Sequence, residues 1–129
     1  MMQITIGKRC SGKTTRLIER SAREGLYILT ATKHRAQAIF DRARDMGFYI
    51  PFPVTAEEYY RSNGFAGSII RRKGLLIDDM DDVIQVMLTG IPIREVTMTD
   101  HKNIEYLDVQ RPFCGGEAEK QDGNSLYNI

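Results

Sequence analysis

Residues Gly7-Lys8-Arg9-Cys10-Ser11-Gly12-Lys13-Thr14 follow a short apolar run, "QITI", and lead into a stretch of helix formers. Their spacing is G-x-x-x-x-G-K-[ST], and each residue type has a task in holding a polyphosphate. Glycines let the backbone curl so that several N–H groups converge on an anion. A helix that opens directly after the loop adds its N-terminal dipole and unpaired N–H groups. Lys13 is placed to reach the β- and γ-phosphates, and Thr14 to offer its hydroxyl to Mg²⁺. Thr15 is a further candidate, for the α-phosphate, through its hydroxyl or its N–H. Cys10 contributes its backbone, and its thiol is incidental. The strand before the loop and the helix after it distinguish this pattern from a chance Gly/Lys loop.

A second group of residues has matching chemistry. "LLIDD" (75–79) is an apolar strand running into acid. Asp78 is a candidate to hold Mg²⁺ through water, and Asp79 to polarise an attacking water. The other reading is an ordinary buried strand that ends in a helix cap. Asp81 and Asp82, before "VIQVMLT", are assigned to that capping role.

Taken together, the two motifs resemble the P-loop NTPases, in the RecA-like and AAA+ branch, in a minimal helicase- or loader-like form. The resemblance covers about residues 2–110. In its terms Gly7 to Thr14 are the Walker A loop, Asp78 is the Walker B metal aspartate, and Asp79 is the catalytic acid beside Lys13. "REVTMTD" follows the Walker B helix where the family has its sensor, which would be Thr99 or Asp100. "LYILTATKHRAQAIFDRARDMG" is similar to the strand and helix after the loop in DNA helicases. The resemblance implies binding of ATP or GTP with Mg²⁺, and hydrolysis coupled to DNA or to a DNA-processing partner. It also implies a bacterial or phage setting.

Two departures bear on activity. Asp79 stands where the family usually has Glu, one methylene longer. No arginine finger is identifiable; Arg71, Arg72, Arg94 and Arg111 qualify only as arginines. A homo-oligomer or another partner would then supply the arginine. Two other functions fit the same loop. "SGKTTRLIERSAREG" is also similar to thymidine kinases, which suggests a nucleoside or nucleotide kinase. That family's Cys-rich zinc lasso and arginine-rich lid are missing, and its Asp-Glu pair is "DD" here. The third function is a nucleotide-binding interaction module with little hydrolysis of its own.

The elements that must position these residues alternate. Strands are expected at 3–6, 26–31, 74–79, 93–100 and 104–109, with a short edge strand or loop at 48–54, where Pro51 and Pro53 interrupt. Helices are expected from Lys13 to Gly25, from Thr32 as cap to Gly47, after the "TAEE" capping box, and at 81–89. "RRK" (71–73) reads as a solvated loop. The alternation predicts an α/β chain with the three-layer P-loop NTPase fold: a mostly parallel sheet of about five strands flanked by helices. Residues 1–114 would form the nucleotide-binding domain. Residues 115–129 lack apolar periodicity and read as a flexible tail.

Composition narrows the function classes. The chain has 129 residues, enough for one domain, and 42% are hydrophobic, enough for a core. A net charge of +1 gives no bulk argument for nucleic acid. Cys10 and Cys114 are too widely spaced for a zinc or disulfide framework, which fits a reducing cytoplasm. No apolar run is long enough for a signal peptide or a membrane span. His34 and His101 have no partner at metal-ligand spacing. Tyr59, Tyr60 and Phe65 could stack on bases, but at these positions core or rim packing is the simpler use.

Overall fold

The computed structural model describes residues 2–9, 11–100 and 102–107. In chain order its elements are β1 (Ile4–Gly7), α1 (Lys13–Glu24), β2 (Tyr27–Thr30), α2 (Lys33–Asp45), β3 (Val54–Thr55), α3 (Ala56–Arg61), α4 (Ile69–Lys73), β4 (Leu75–Ile77), α5 (Met80–Met87) and β5 (Ile104–Leu107). They group into two compact units: residues 2–13 with 92–107, and Thr14–Ile91.

Local chemistry explains most helix boundaries in the larger unit. α1 buries Ile18 and Ser21 on one side, and the chain leaves it at Gly25, as expected. The Ser21 hydroxyl donates to the Leu26 carbonyl at 2.6 Å, tying the helix end to the strand after it. Thr32 caps α2 by accepting the Arg35 N–H at 3.2 Å, and Ala36, Ile39 and Ala43 form its buried stripe. Arg42 and Arg44 in the last turn suit the negative end of the helix dipole. Thr55 and Glu58 form the expected capping box on α3.

The sheet of this unit has strand order β3-β2-β4, and both of its pairings are parallel. Ile28 lies opposite Leu76, and Leu29 opposite Ile77. Strand alternation then divides the core. Ile28 and Leu76 pack with Ile18, Ile39, Ala43, Leu26 and Ile50. Leu29 packs with Phe65, Ile70 and Val83. Helices therefore cover both faces. Fully buried aliphatic side chains such as Ile18 and Ile28 each stabilise the fold by about 1.5–3 kcal/mol.

The smaller unit contains a two-stranded parallel sheet. β1 pairs with β5 from Ile4↔Ile104 to Gly7↔Leu107. The fold is thus mixed α/β with short parallel sheets, and the strands among the described residues form two ladders where one sheet was expected.

Three expectations are corrected. Residues 93–100 form no strand: Val96 and Met98 are 70% and 50% exposed, and no ladder among the described residues engages the segment. Their Ile, Val and Thr residues give strand propensity, but a strand also needs a neighbour to satisfy its backbone. Arg71-Arg72-Lys73 is the last turn of a short helix, not a loop. Ser68 starts that helix by accepting the Ile70 N–H at 3.2 Å, and buried Ile70 anchors it. Asp81 and Asp82 sit in the first turn of α5, while the cap position belongs to Asp79, which makes no side-chain capping bond. The two acids act there through the helix dipole instead.

The tail 115–129, Cys10, Cys114, His101, Arg111 and strand residues 108–109 lie outside the described residues. No described helix is long and apolar enough to cross a membrane.

Candidate functional site

The loop after β1 is closely built. A Cβ at Gly7 would overlap Ser11 Oγ and lie 2.9 Å from the Leu107 carbonyl, so only glycine fits there. The Ser11 N–H donates to the Lys8 carbonyl at 3.1 Å, which closes a turn. Gly12 has φ 98°, a conformation that L side chains rarely adopt. Lys13 begins α1 and donates through Nζ to the same Lys8 carbonyl at 3.0 Å. Lys8 and Arg9 are exposed. Ser11 is only 6% exposed, and its Oγ has no hydrogen-bond partner among the described residues. Buried hydroxyls are nearly always satisfied, because an unpaired one costs about 1–3 kcal/mol.

Thr14 and Asp78, the two residues expected to share one ion, are neighbours. The Thr14 hydroxyl donates to Asp78 Oδ1 at 2.9 Å across 64 positions of sequence. Asp78 is 2% exposed and directly follows β4, where its N–H donates to the Leu29 carbonyl at 2.9 Å. Thr15 lies one residue further along α1, and its hydroxyl accepts from Arg42 at 3.0 Å.

Arg35, which no motif in the chain singles out, joins the group from the first turn of α2. One of its terminal nitrogens donates to Asp78 Oδ2 at 2.7 Å and to Asp79 Oδ2 at 3.1 Å. The β2–β4 pairing is the cause. In parallel strands the C-terminal ends share an edge, so the start of α2, just beyond β2, converges on the acids just beyond β4. The sequence alone carries no signal for Arg35: a place in the first turn of α2 matters only once β2 is paired with β4. Burial alone would lower the pKa of Arg35. The hydrogen bond to Asp78 and the charges of Asp78, Asp79 and Asp82 outweigh that and raise it above the usual arginine value.

Asp79 is 29% exposed and adopts φ 56°, ψ 72°. Left-handed backbone is uncommon outside glycine, and Asp and Asn tolerate it best. This conformation turns the chain from β4 into α5 while the carboxylate stays on Arg35.

The other candidates are described each in its own surroundings. Thr99 and Asp100 are exposed in the segment that forms no ladder. Arg71 donates to the Gly64 carbonyl at 2.9 Å, and Arg72 and Arg94 are exposed. His34 is exposed on the first turn of α2. Phe65 is buried in the core, with Tyr59 packed edge-on against it at 5.7 Å. The Tyr60 hydroxyl donates to the Met87 carbonyl at 3.3 Å.

Among the described residues, no three or more His, Cys, Asp or Glu side chains gather as a metal cage. The hydroxyl and carboxylate of Thr14 and Asp78 are hard oxygen donors instead, the kind that Mg²⁺ takes a few at a time. Compared with known proteins, the chain matches no family model, no curated protein and no solved structure.

Proposed function

We propose that this protein binds a nucleoside triphosphate together with Mg²⁺ and hydrolyses it slowly, as its resemblance to the P-loop NTPases implies. One observation carries the proposal: the Thr14 hydroxyl, one residue after the G-x-x-x-x-G-K loop, lies 2.9 Å from the buried Asp78 carboxylate. A chance glycine-rich loop has no reason to be followed by a hydroxyl aimed at a buried acid at the end of a parallel strand.

The residues fit the group. Ser11 Oγ is a buried hydroxyl without a partner among the described residues, and a phosphate oxygen would satisfy it. The contact of Lys13 with a neutral carbonyl is one that a phosphate oxygen, carrying charge, would better. Gly7 and Gly12 allow the tight loop in which backbone N–H groups can face an anion. Thr14 and Asp78 would hold the ion, Thr14 through its hydroxyl and Asp78 through its carboxylate. When bound, Mg²⁺ neutralises charge on the β- and γ-phosphates.

Binding to the folded state alone stabilises it by about 2.7 kcal/mol at 100 times the dissociation constant. For a chain of this length that corresponds to a rise of about 10 °C in Tm. The test is melting with ATP or GTP, with and without Mg²⁺, on wild type and Lys13→Ala. The variant should lose most of the rise. If neither nucleotide shifts melting at millimolar concentration, the proposal fails.

A second function has support from Asp79. A general base must be free to accept a proton, and the Asp79 carboxylate is held by Arg35 at 3.1 Å. This favours a nucleotide-binding module whose hydrolysis is weak until a partner rearranges the acid pair. Hydrolysis measured over rising protein concentration, then with single- and double-stranded DNA, separates the two. A steady basal rate per chain that needs neither DNA nor higher protein concentration excludes the module; hydrolysis that starts only with DNA or a partner favours it.

A further inference from the structure

Both oxygens of Asp78 are already committed. Thr14 donates to Oδ1, and Arg35 donates to Oδ2. The same Arg35 nitrogen reaches Asp79. A divalent cation that used Asp78 and Thr14 would therefore meet a guanidinium already bound to the same carboxylate, and like charges cannot share it without cost.

The burial of the two partners is unequal, which sets the direction of any exchange. Asp78 is 2% exposed, whereas the Arg35 side chain is 41% exposed. Arg35 already has part of its side chain in water and can turn further toward it. Asp78 cannot follow it, and a buried carboxylate left without a cation is strongly unfavourable. It must keep Arg35 or receive another cation in its place.

We propose that Arg35 is a positioning residue that holds the place of the metal: it keeps Asp78 and Asp79 oriented in the ligand-free protein, and Mg²⁺ loads by exchange for the Arg35–Asp78 bond. This rests on the nucleotide-binding function proposed above. It makes the Mg²⁺ requirement a property of α2 as well as of the acids after β4. A phosphate chain arriving with its ion gives the displaced guanidinium an anionic environment, so exchange is favoured when metal and nucleotide arrive together.

The test is a Mg²⁺ titration of fluorescent ATP-analogue binding on wild type, Arg35→Gln and Arg35→Lys, with melting of each in EDTA and in saturating MgCl₂. Removing the competitor in Arg35→Gln should lower the half-saturating Mg²⁺ concentration about tenfold, the scale of one lost charge-assisted hydrogen bond. The same variant should melt below wild type in EDTA, and the gap should close when Mg²⁺ re-pairs Asp78. Arg35→Lys keeps the charge on a shorter, single-point donor, and its half-saturating concentration should fall about threefold. If Arg35→Gln does not fold, the lysine titration decides. An unchanged or raised Mg²⁺ requirement, or a melting gap equal in EDTA and MgCl₂, overturns the exchange and leaves Arg35 a structural ion pair. A wild type that binds the analogue equally with and without Mg²⁺ overturns the metal-nucleotide function itself, and the exchange with it.

Discussion

Asp78→Asn separates a metal ligand from a structural acid. The substitution conserves shape and removes one charge. Asparagine can turn its carbonyl toward Arg35, which only donates, and its amide toward Thr14, whose hydroxyl can reverse and accept. Both contacts, now 2.7 and 2.9 Å, survive in form. What is lost is charge assistance: hydrogen bonds to charged groups contribute about 1.5–3 kcal/mol, against about 0.5–1.5 for neutral ones. The loss is then about 1–1.5 kcal/mol. Against it, a neutral amide at a 2% exposed position is cheaper to desolvate than a carboxylate. The net change in ligand-free stability should stay below about 1.5 kcal/mol, or roughly 5 °C in Tm for a chain of this length. Metal-dependent binding should respond differently, because an amide is a poor substitute for an anionic oxygen toward Mg²⁺. Nucleotide affinity in Mg²⁺ should fall by roughly tenfold or more, while affinity in EDTA changes by less than about threefold, a difference of about 1 kcal/mol between conditions. The measurements are thermal melting and nucleotide titration in both buffers. A stability loss above about 3 kcal/mol, or equal affinity losses with and without Mg²⁺, would refute the reasoning and return Asp78 to a structural role.

Gly7→Ala should distort the loop, since its Cβ would overlap Ser11 Oγ; a cost of about 1–3 kcal/mol and loss of the nucleotide-induced melting rise are expected together. Thr55→Ala removes the hydroxyl that accepts the Glu58 N–H at the start of α3 and leaves the Glu58 carboxylate on the backbone N–H of residue 55; it should cost about 0.5–2 kcal/mol in denaturant titration, with ligand affinity unchanged. The stabilisation carried by the Arg35 charge has a definite pH sign. The folded pKa is raised, so the contribution is fully present below the unfolded value and is lost only as pH rises through the folded one, far above neutrality. The stability difference between wild type and Arg35→Gln should therefore be flat from roughly pH 7 to 10; a steady decline across that range would show that another group governs the pair.

Short-range chemistry was legible from the residues themselves. Thr32 before α2, Thr55 with Glu58 around the start of α3, and the apolar stripe of α1 each act within a turn or two of chain, so residue type and spacing suffice. The loop from Gly7 to Thr14 belongs to the same class: its two glycines fall where a close approach and a positive φ demand them. The "LLIDD" run declared a strand with acids at its end, but not its burial: of β4 only Leu76 is buried, and Ile77 is 41% exposed. Tertiary structure decided which of these meet. Arg35 has no local mark that sets it apart from Arg42 or Arg44 on the same helix; only the parallel register Leu29↔Ile77 brings the start of α2 to the acids beyond β4. Residues 93–100 show the converse. Their Ile, Val and Thr residues are as strand-prone as those of β2, but β2 has a neighbour on each side and this segment has none among the described residues. Strand propensity is stored in the chain, whereas a ladder is a relation between chain segments and exists only where the fold supplies the second one.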